Sequence, residues 1–472
     1  MNEFESGYQA MDRKSFFKEQ HKQIIRTATP LSIGFGLQSF MGISEVLVVA
    51  QSGAETLAGV SIAVSLAGMM YLIVIGFVSA SIPLIAKAMA KNQEQAAQVS
   101  VSSTLVILAC TTLFGMMALF TTIYFTHLLS VSSEMTKAVT AWIKAAMFGF
   151  PAMCLFFWLR SIGTALDQTG FVGKVLAASA VAHLTALMVF SFDSPWSFGW
   201  GAFGAGVAHT VASWVALLGS VYYFFLSPKS KIKTAIPLTW TFPNLGLEMK
   251  QHVMLGVPVT ARIFLVEGFG YFLVLILPLL VTAVEISAHA IGLRVASISA
   301  TLALGVSSAV AAQIGSARGR NSTNIALAYS KSAIEIGLAI GLLCMIGLLI
   351  IAPLLLQYLE TEGASISIIF ILLIAAYQAV AVIQTTTTGA LLGFEKTIAP
   401  LIATVAGPWC TCLGLIFLIT QILEINILIV WVCLVAGYIL SSTICVLSLS
   451  KQISHERKLV TENGISRADK IL

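Results

Sequence analysis

Residues 336–356 read IGLAIGLLCMIGLLIIAPLLL. These 21 residues carry no charge and show no polar–apolar alternation. About 20 mostly apolar residues let a helix cross a bilayer. A strand of an outer-membrane barrel is shorter, roughly 10 residues, and alternates. Lipid offers no partner for backbone N–H and C=O groups, so an unalternating run must satisfy them within itself, as a helix. Eleven further stretches read the same way. The twelve lie at about 28–50, 57–82, 101–126, 139–158, 172–192, 203–226, 254–281, 286–312, 333–356, 365–390, 399–421 and 426–449; they are numbered here as spans 1 to 12.

The rest of the 472-residue chain agrees. It is 58% hydrophobic and only 10% charged, whereas soluble domains carry about 25% charged residues. That is too little charge to coat a water-facing surface. A soluble enzyme is excluded, and so are a disordered chain, a collagen-like chain and a coiled coil. The expected class is an all-α integral membrane protein.

Lys and Arg placement sets the orientation. Twenty-two of the 26 fall on the tails and even-numbered loops, with Arg160 and Lys174 counted in the loop between spans 4 and 5. Only Lys137 and Lys144 lie on the other side; Arg262 and Arg294 sit within apolar stretches. Both termini are therefore expected in the cytoplasm, which requires an even number of spans. The net charge of +5 needs no nucleic acid: no basic stripe with interleaved aromatics is present, and anionic lipid is the ordinary partner of such loops. The first 26 residues are polar and read as no cleavable signal peptide. All seven cysteines (Cys110, Cys154, Cys344, Cys410, Cys412, Cys433 and Cys445) lie in apolar segments without metal spacing and are read as apolar filler.

The chain repeats itself. At an offset of 229, Phe77–Asn92 faces Val306–Asn321, with Ser79-Ala80 on Ser308-Ala309, Ile85 on Ile314 and Lys91-Asn92 on Arg320-Asn321. One residue further, Glu55 faces Glu285 and Ala58 faces Ala288. A weaker echo sets Gly163–Leu166 on Gly389–Leu392. Six spans is an even number, so the two halves enter the membrane in the same orientation: a parallel repeat. The expected organisation is a cytoplasmic N-terminal tail at 1–27, an N-lobe at 28–226 (spans 1–6), a cytoplasmic linker at 227–253, a C-lobe at 254–449 (spans 7–12) and a cytoplasmic C-terminal tail at 450–472. Two such bundles around a cavity, rocking for alternating access, point to a transporter.

Ionisable residues inside a membrane are costly and read first as functional. Glu267 lies about 13 residues into span 7, roughly 20 Å from the cytoplasmic face. A carboxyl there that takes and releases a proton suits proton coupling, and Gly256, Pro258, Gly268 and Gly270 let the helix bend around it. Arg294 is placed at roughly 18 Å depth, level with Glu267, so a static ion pair is the alternative. Arg262 is about 140° round the helix from Glu267 and is expected to snorkel to the cytoplasm. Glu45 comes at roughly 25 Å depth, with Gln38 on nearly the same face and His183 and His209 at roughly 17 and 21 Å. A cluster of Glu45, His183 and His209 is one reading. In the other, each histidine bonds a backbone carbonyl and Glu45 reaches the outer interface. On span 10, Tyr377, Gln378 and Gln384 are cavity candidates, although the glutamines stand roughly 120° apart. Thr385–Thr388 are expected to bond their own helix, and Asp167 to be a loop or cap residue. No P-loop, metal-binding motif or catalytic constellation appears. No metal or cofactor is expected, and the chain is not read as an enzyme.

These residues resemble the multidrug and toxic compound extrusion (MATE) transporters, in their NorM-like branch. The likeness rests on Pro30…Gln38-Ser-Phe-Met-Gly42-Ile-Ser-Glu45, Gly53–Ala58, Leu255-Gly-Val-Pro258…Glu267, Ala288-His289, Ala311–Gly315 and Tyr377-Gln378…Gln384…Gly389–Gly393. It implies two six-helix lobes and export of organic, often cationic compounds in exchange for protons or sodium. It makes Glu267 the coupling glutamate and sets Glu45 where many members carry aspartate. Members with a sodium site often place an acid where this chain has Ala381; a second such position is Leu187, and a neighbouring asparagine is His183. A hard cation wants several oxygen ligands, so protons are expected. The partners are then small organic cations, protons and membrane lipids, in a bacterial inner membrane. A sodium-coupled exporter and a lipid-linked precursor flippase, the latter supported by Arg262 and Arg294, are the alternatives.

Overall fold

The computed structural model describes residues 13–125, 132–192, 194–227, 245–361 and 368–468. Residues 228–244, most of the expected linker, lie outside it, as do the outermost residues of both tails. The described chain is helical throughout. Eleven helices are long and apolar enough to cross a membrane, and one bent pair makes a twelfth span. The protein is a multi-pass membrane protein. In the stretch first read, Leu343 and Ile350 are 68% and 72% exposed. An apolar side chain turned outward suits a lipid-facing surface.

The helices are α1 (Arg13–Val49), α2 (Ala54–Ala90), α3 (Glu94–Phe125), α4 (Ser133–Ala146), α5 (Phe150–Ala165), α6 (Gly170–Ala186) and α7 (Gly201–Val221) in the first half. The second half has α8 (Leu245–Ile276), α9 (Ala283–Gly319), α10 (Thr323–Thr361), α11 (Ile368–Gly393), α12 (Ile398–Thr404), α13 (Leu413–Thr420) and α14 (Ile427–Ala468).

Span 4, read as one helix, is the bent pair: α4 and α5 meet at 54°. Pro151 in the first turn of α5 brings no N–H, so a preceding carbonyl loses its partner. Side chains of α7 supply replacements. Thr210 Oγ1 donates to the Ala145 carbonyl at 2.7 Å, and Trp214 Nε1 to that of Phe148 at 3.1 Å. Span 11 is likewise interrupted. Between α12 and α13, Val405–Cys412 winds as a wide π-turn around Pro408, and Thr411 Oγ1 takes up the Ala406 carbonyl at 2.7 Å.

The parallel repeat is visible in the backbone. α2 and α9 are both 37 residues long and start and end 229 residues apart. Each is followed by an asparagine in the left-handed region, Asn92 (φ 54°) and Asn321 (φ 55°). The next N–H reaches back across the helix end in both: Gln93 to Ala88 and Ser322 to Ala317. The same closure, with Asp167 (φ 56°) and Glu395 (φ 63°) as the left-handed residues, ends α5 and α11. There Gln168 N bonds Gly163 O, and Lys396 N bonds Leu391 O. The register corrects the weaker sequence echo. Gly163 corresponds to Leu391, not to Gly389; two small-residue runs had matched by composition.

Contacts divide the chain into two compact units, Ile33–Thr260 and the remainder, Met1–Ser32 with Ala261–Leu472. The boundaries fall inside α1 and α8, at equivalent places in the repeat, and close glycine contacts explain both. In the first unit a Cβ on Gly76 would lie 2.2 Å from Thr260 Oγ1 and 2.6 Å from its Cα. In the second, a Cβ on Gly305 would lie 2.1 Å from Ser32 Oγ and 2.9 Å from the Ala28 carbonyl. Gly76 and Gly305 are 229 residues apart, and Ser32 also donates to the Leu302 carbonyl at 3.1 Å. Small residues let helix backbones approach where lipid gives no hydrophobic drive to pack.

The start of α9 is a capping box. Thr282 Oγ1 accepts from Glu285 N, and the Glu285 carboxylate accepts from Thr282 N at 2.9 Å. Its other oxygen accepts from Ile427 N at 3.0 Å, tying α9 to the start of α14. Partial burial works against its charge, but the bonds from Ile427 N, Thr282 N and Thr282 Oγ1 together hold the carboxyl below its ordinary value.

Two predictions follow from these contacts. Gly76→Ala and Gly305→Ala each lower the thermal unfolding temperature of the detergent-purified protein, at a cost of about 1–3 kcal/mol. Gly68→Ala, whose Cβ meets nothing within 4 Å, leaves it level or slightly raised. For Glu285 the folded-state value lies below the unfolded one. Its contribution is therefore complete above the unfolded value and is lost as pH falls through the folded one. Glu285→Gln removes that part of the acid-side fall in melting temperature between neutral pH and about pH 3.

Candidate functional site

In the C-terminal unit, Glu267 sits on α8 with a solvent-accessible side chain. Its electrostatic neighbours are Arg262 on its own helix, Tyr377 on α11 and Tyr438 on α14. The two tyrosine rings meet edge to face, 4.7 Å apart. Aromatic walls surround this group. Trp409 donates to the Leu265 carbonyl at 3.0 Å and packs on Phe269 and Phe272, both at 5.5 Å. Trp431 packs on Tyr377 at 5.6 Å and on His289 at 5.7 Å.

This corrects the expected charge partner. Arg294 is exposed, whereas Arg262 is half-buried and acts on both Glu267 and Tyr438. Equal depth in the membrane had selected Arg294, but depth says nothing of direction, and no ion pair joins that side chain to Glu267 within 4.0 Å. The helical angle had set Arg262 aside, yet a long flexible side chain reaches round a helix. Among the described residues Glu267 belongs to no ion pair within 4.0 Å, so its carboxylate is not locked.

Gln384 is corrected as well. It is buried, and its Nε2 donates to Ser441 Oγ at 2.5 Å, which makes it a tie between α11 and α14. Thr385–Thr388 all donate to carbonyls of their own helix, as expected. Gln378 is 3% exposed and Tyr377 half-buried; of the span 10 candidates, Tyr377 stands by Glu267.

In the N-terminal unit, Glu45 is 4% exposed and accepts from Trp142 Nε1 at 2.5 Å. It does not reach the outer interface. The Trp142 ring lies 5.4 Å from that of His209, whose Nε2 is 3.1 Å from Tyr71 Oη. Glu45 and His209 thus share a neighbourhood through Trp142 rather than a direct bond. His183 is 1% exposed. Its ring faces the backbone of Met41 and Ala208, at geometry looser than a strict hydrogen bond. Gln38 is half-buried.

Trp142, Tyr71 and Tyr438 were missed from sequence. A signal was available for the two tyrosines. Tyr and Trp favour the membrane interface, so a tyrosine near the middle of span 2 or span 12 is out of place as an anchor. Arg160 was also misplaced: counted with a cytoplasmic loop, it lies inside α5 at 8% exposure.

The duplicated architecture and its two polar clusters meet a family description. The MatE family model matches twice, over residues 30–189 and 258–419, together more than half of the chain. The chain belongs to the MatE family. The multidrug resistance protein NorM of Vibrio vulnificus is 26% identical over 392 residues, covering 80% of this chain and 83% of that protein. A probable multidrug resistance protein NorM of Acinetobacter baylyi is 23% identical over 465 residues, covering 96% and 100%. Among solved structures, a MATE in the bent conformation superposes with TM-score 0.83 at 16% identity, covering 93% of this chain and 97% of that one. An outward-facing multidrug resistance MATE transporter of the MOP superfamily gives 0.83 at 15%, covering 93% and 96%. These structures share the fold.

Trp142→Phe keeps the ring and removes the N–H, leaving the buried Glu45 oxygen without its donor. It should destabilise the purified protein by about 1–3 kcal/mol in thermal unfolding. The loss should be smaller when Glu45→Gln is already present.

Proposed function

We propose that this MatE-family chain is a secondary active antiporter. It exports amphipathic, often cationic small molecules in exchange for protons, by alternating access of its two halves. The observation that carries this reading is Glu267: an accessible carboxylate outside any close ion pair, beside Arg262 and the packed pair Tyr377 and Tyr438.

Such a carboxylate takes either of two partners. Protonated, it is neutral and has little hold on an organic cation. Deprotonated, it attracts one, and the accessible rings of Trp409 and Phe272 offer apolar and cation–π surface to the rest of the molecule. Proton and substrate therefore compete for one group, which is what exchange requires. Arg262 tempers the charge of the empty, deprotonated state. A sodium ion is poorly served here. Beside the carboxylate stand two phenols and a guanidinium, and the position of a further acid is Ala381, whereas hard cations want several oxygens.

Movement between states has a place to occur. α1 and α8 carry Pro30 and Pro258, each two residues before the point where its helix passes from one compact unit to the other. A proline inside a helix removes one hydrogen bond and weakens it locally. The charge asymmetry of the loops supports cytoplasmic termini, and the bacterial relatives support a bacterial inner membrane.

The test is uptake of a fluorescent organic cation into proteoliposomes, driven separately by a pH gradient and a sodium gradient. Wild type is expected to respond to the pH gradient, and Glu267→Gln to lose at least about tenfold in rate while eluting as a folded monodisperse species. Undiminished proton-driven uptake by Glu267→Gln, or uptake driven by sodium alone, overturns the proposal.

A further inference from the structure

Arg160 lies on α5 in the N-terminal unit, 8% exposed. A guanidinium stays charged in any protein environment, so its burial demands compensation. Part comes from aromatic rings. Its Cζ stands 4.8 Å from the Phe35 ring centroid, 4.9 Å from that of Phe157 and 5.9 Å from that of Phe156. Rings attract the cation through its flat face, but they do not accept its five in-plane N–H donors.

Among the described residues no carbonyl, hydroxyl or carboxylate takes those donors. Three carboxylates of this unit bond other side chains, Glu45 with Trp142, Glu55 with Ser132 and Glu134 with Thr56, and no described carboxylate acts on Arg160. The sealed polar atoms without a partner include Trp158 Nε1, two residues away, but no nitrogen of Arg160. What remains accessible of this side chain is thus at its nitrogen edge. A snorkelling arginine behaves otherwise, burying its stem and leaving the whole head in water, as exposed Arg294 is free to do.

A guanidinium packed among rings, whose N–H donors no protein group takes, is the shape that takes a planar anion in a bidentate grip. We propose that Arg160 is an anion-binding subsite of the N-terminal unit, taking the carboxylate or phosphate of an amphipathic ligand. Phe157 extends the subsite. Its ring also packs on Tyr71 at 5.7 Å, and Tyr71 pairs with His209, so a chain of rings links Arg160 to the polar cluster around Trp142. The ligand class is a zwitterionic aromatic amphiphile carried as substrate; that it is carried rests on the antiport reading above, while its binding does not.

The probes are two xanthene dyes of one chromophore, one with a free carboxylate and the other its methyl ester. Binding is read by fluorescence anisotropy on the full chain in nanodiscs of neutral phospholipid, with no gradient. Wild type is expected to bind the acid more tightly than the ester. Arg160→Met and Arg160→Gln should weaken the acid about tenfold or more while leaving the ester unchanged. Arg160→Lys should recover only part, because an ammonium is a point charge without the fork. Equal binding of acid and ester by wild type overturns the proposal without recourse to a variant. So does an equal loss of both dyes, or of neither, in the folded variants. Displacement of the acid by phosphatidylglycerol in wild type alone assigns the edge to a lipid phosphate and overturns the substrate assignment. Proton-driven uptake of the ester reports separately on the antiport reading.

Discussion

Lipid leaves a backbone polar group nowhere to go, and two breaks in the described helices answer to that constraint. Regular helices satisfy it by themselves. At two breaks a side chain bonds a carbonyl close by: Thr210 and Trp214 of α7 at the bend between α4 and α5, and Thr411 within the wide turn around Pro408. Trp409 also donates to the Leu265 carbonyl, within the unbroken α8 and two residues from Glu267. Breaks cluster near polar side chains because only there is a second donor or acceptor at hand. The places where the helices depart from ideality and the places where chemistry is available are therefore largely the same.

The duplicated chain has kept its backbone and let its polar content diverge. Helix ends coincide across the halves, down to the left-handed residues Asn92 and Asn321, Asp167 and Glu395. The glycine joints at Gly76 and Gly305 coincide as well. Inside the units the symmetry stops. The N-terminal unit buries Glu45 against a tryptophan N–H and holds an unpaired arginine in an aromatic cage. The C-terminal unit leaves Glu267 accessible beside an arginine and two tyrosines. A closure at a helix end is copied by local backbone geometry. A polar cluster needs several helices to agree, so one substitution changes it.

How much of this was legible follows from which quantities are local. Span number, helical class and repeat were readable because hydrophobicity and left-handed closures are properties of short segments. Residues 336–356 declare a membrane helix whatever surrounds them, and Lys91-Asn92 and Arg320-Asn321 mark the same helix end twice. Glu267 and Glu45 stood out because a carboxylate in an apolar run is costly wherever it points. The partners of those carboxylates were not legible. Depth along the membrane comes from counting, but the direction of a side chain depends on how its helix is rotated and bent by neighbours. Counting alone put Arg294 beside Glu267, and Arg160 in a loop. The tertiary structure left Arg294 exposed, drew Arg262 toward Glu267 and gathered three phenylalanine rings around Arg160. Sequence by itself determined that this chain is a duplicated bundle of membrane helices with two carboxylates inside it, because those facts follow from solvation of each segment. Only the tertiary structure decided what each carboxylate and each arginine meets, because that depends on helix packing, which no single segment contains.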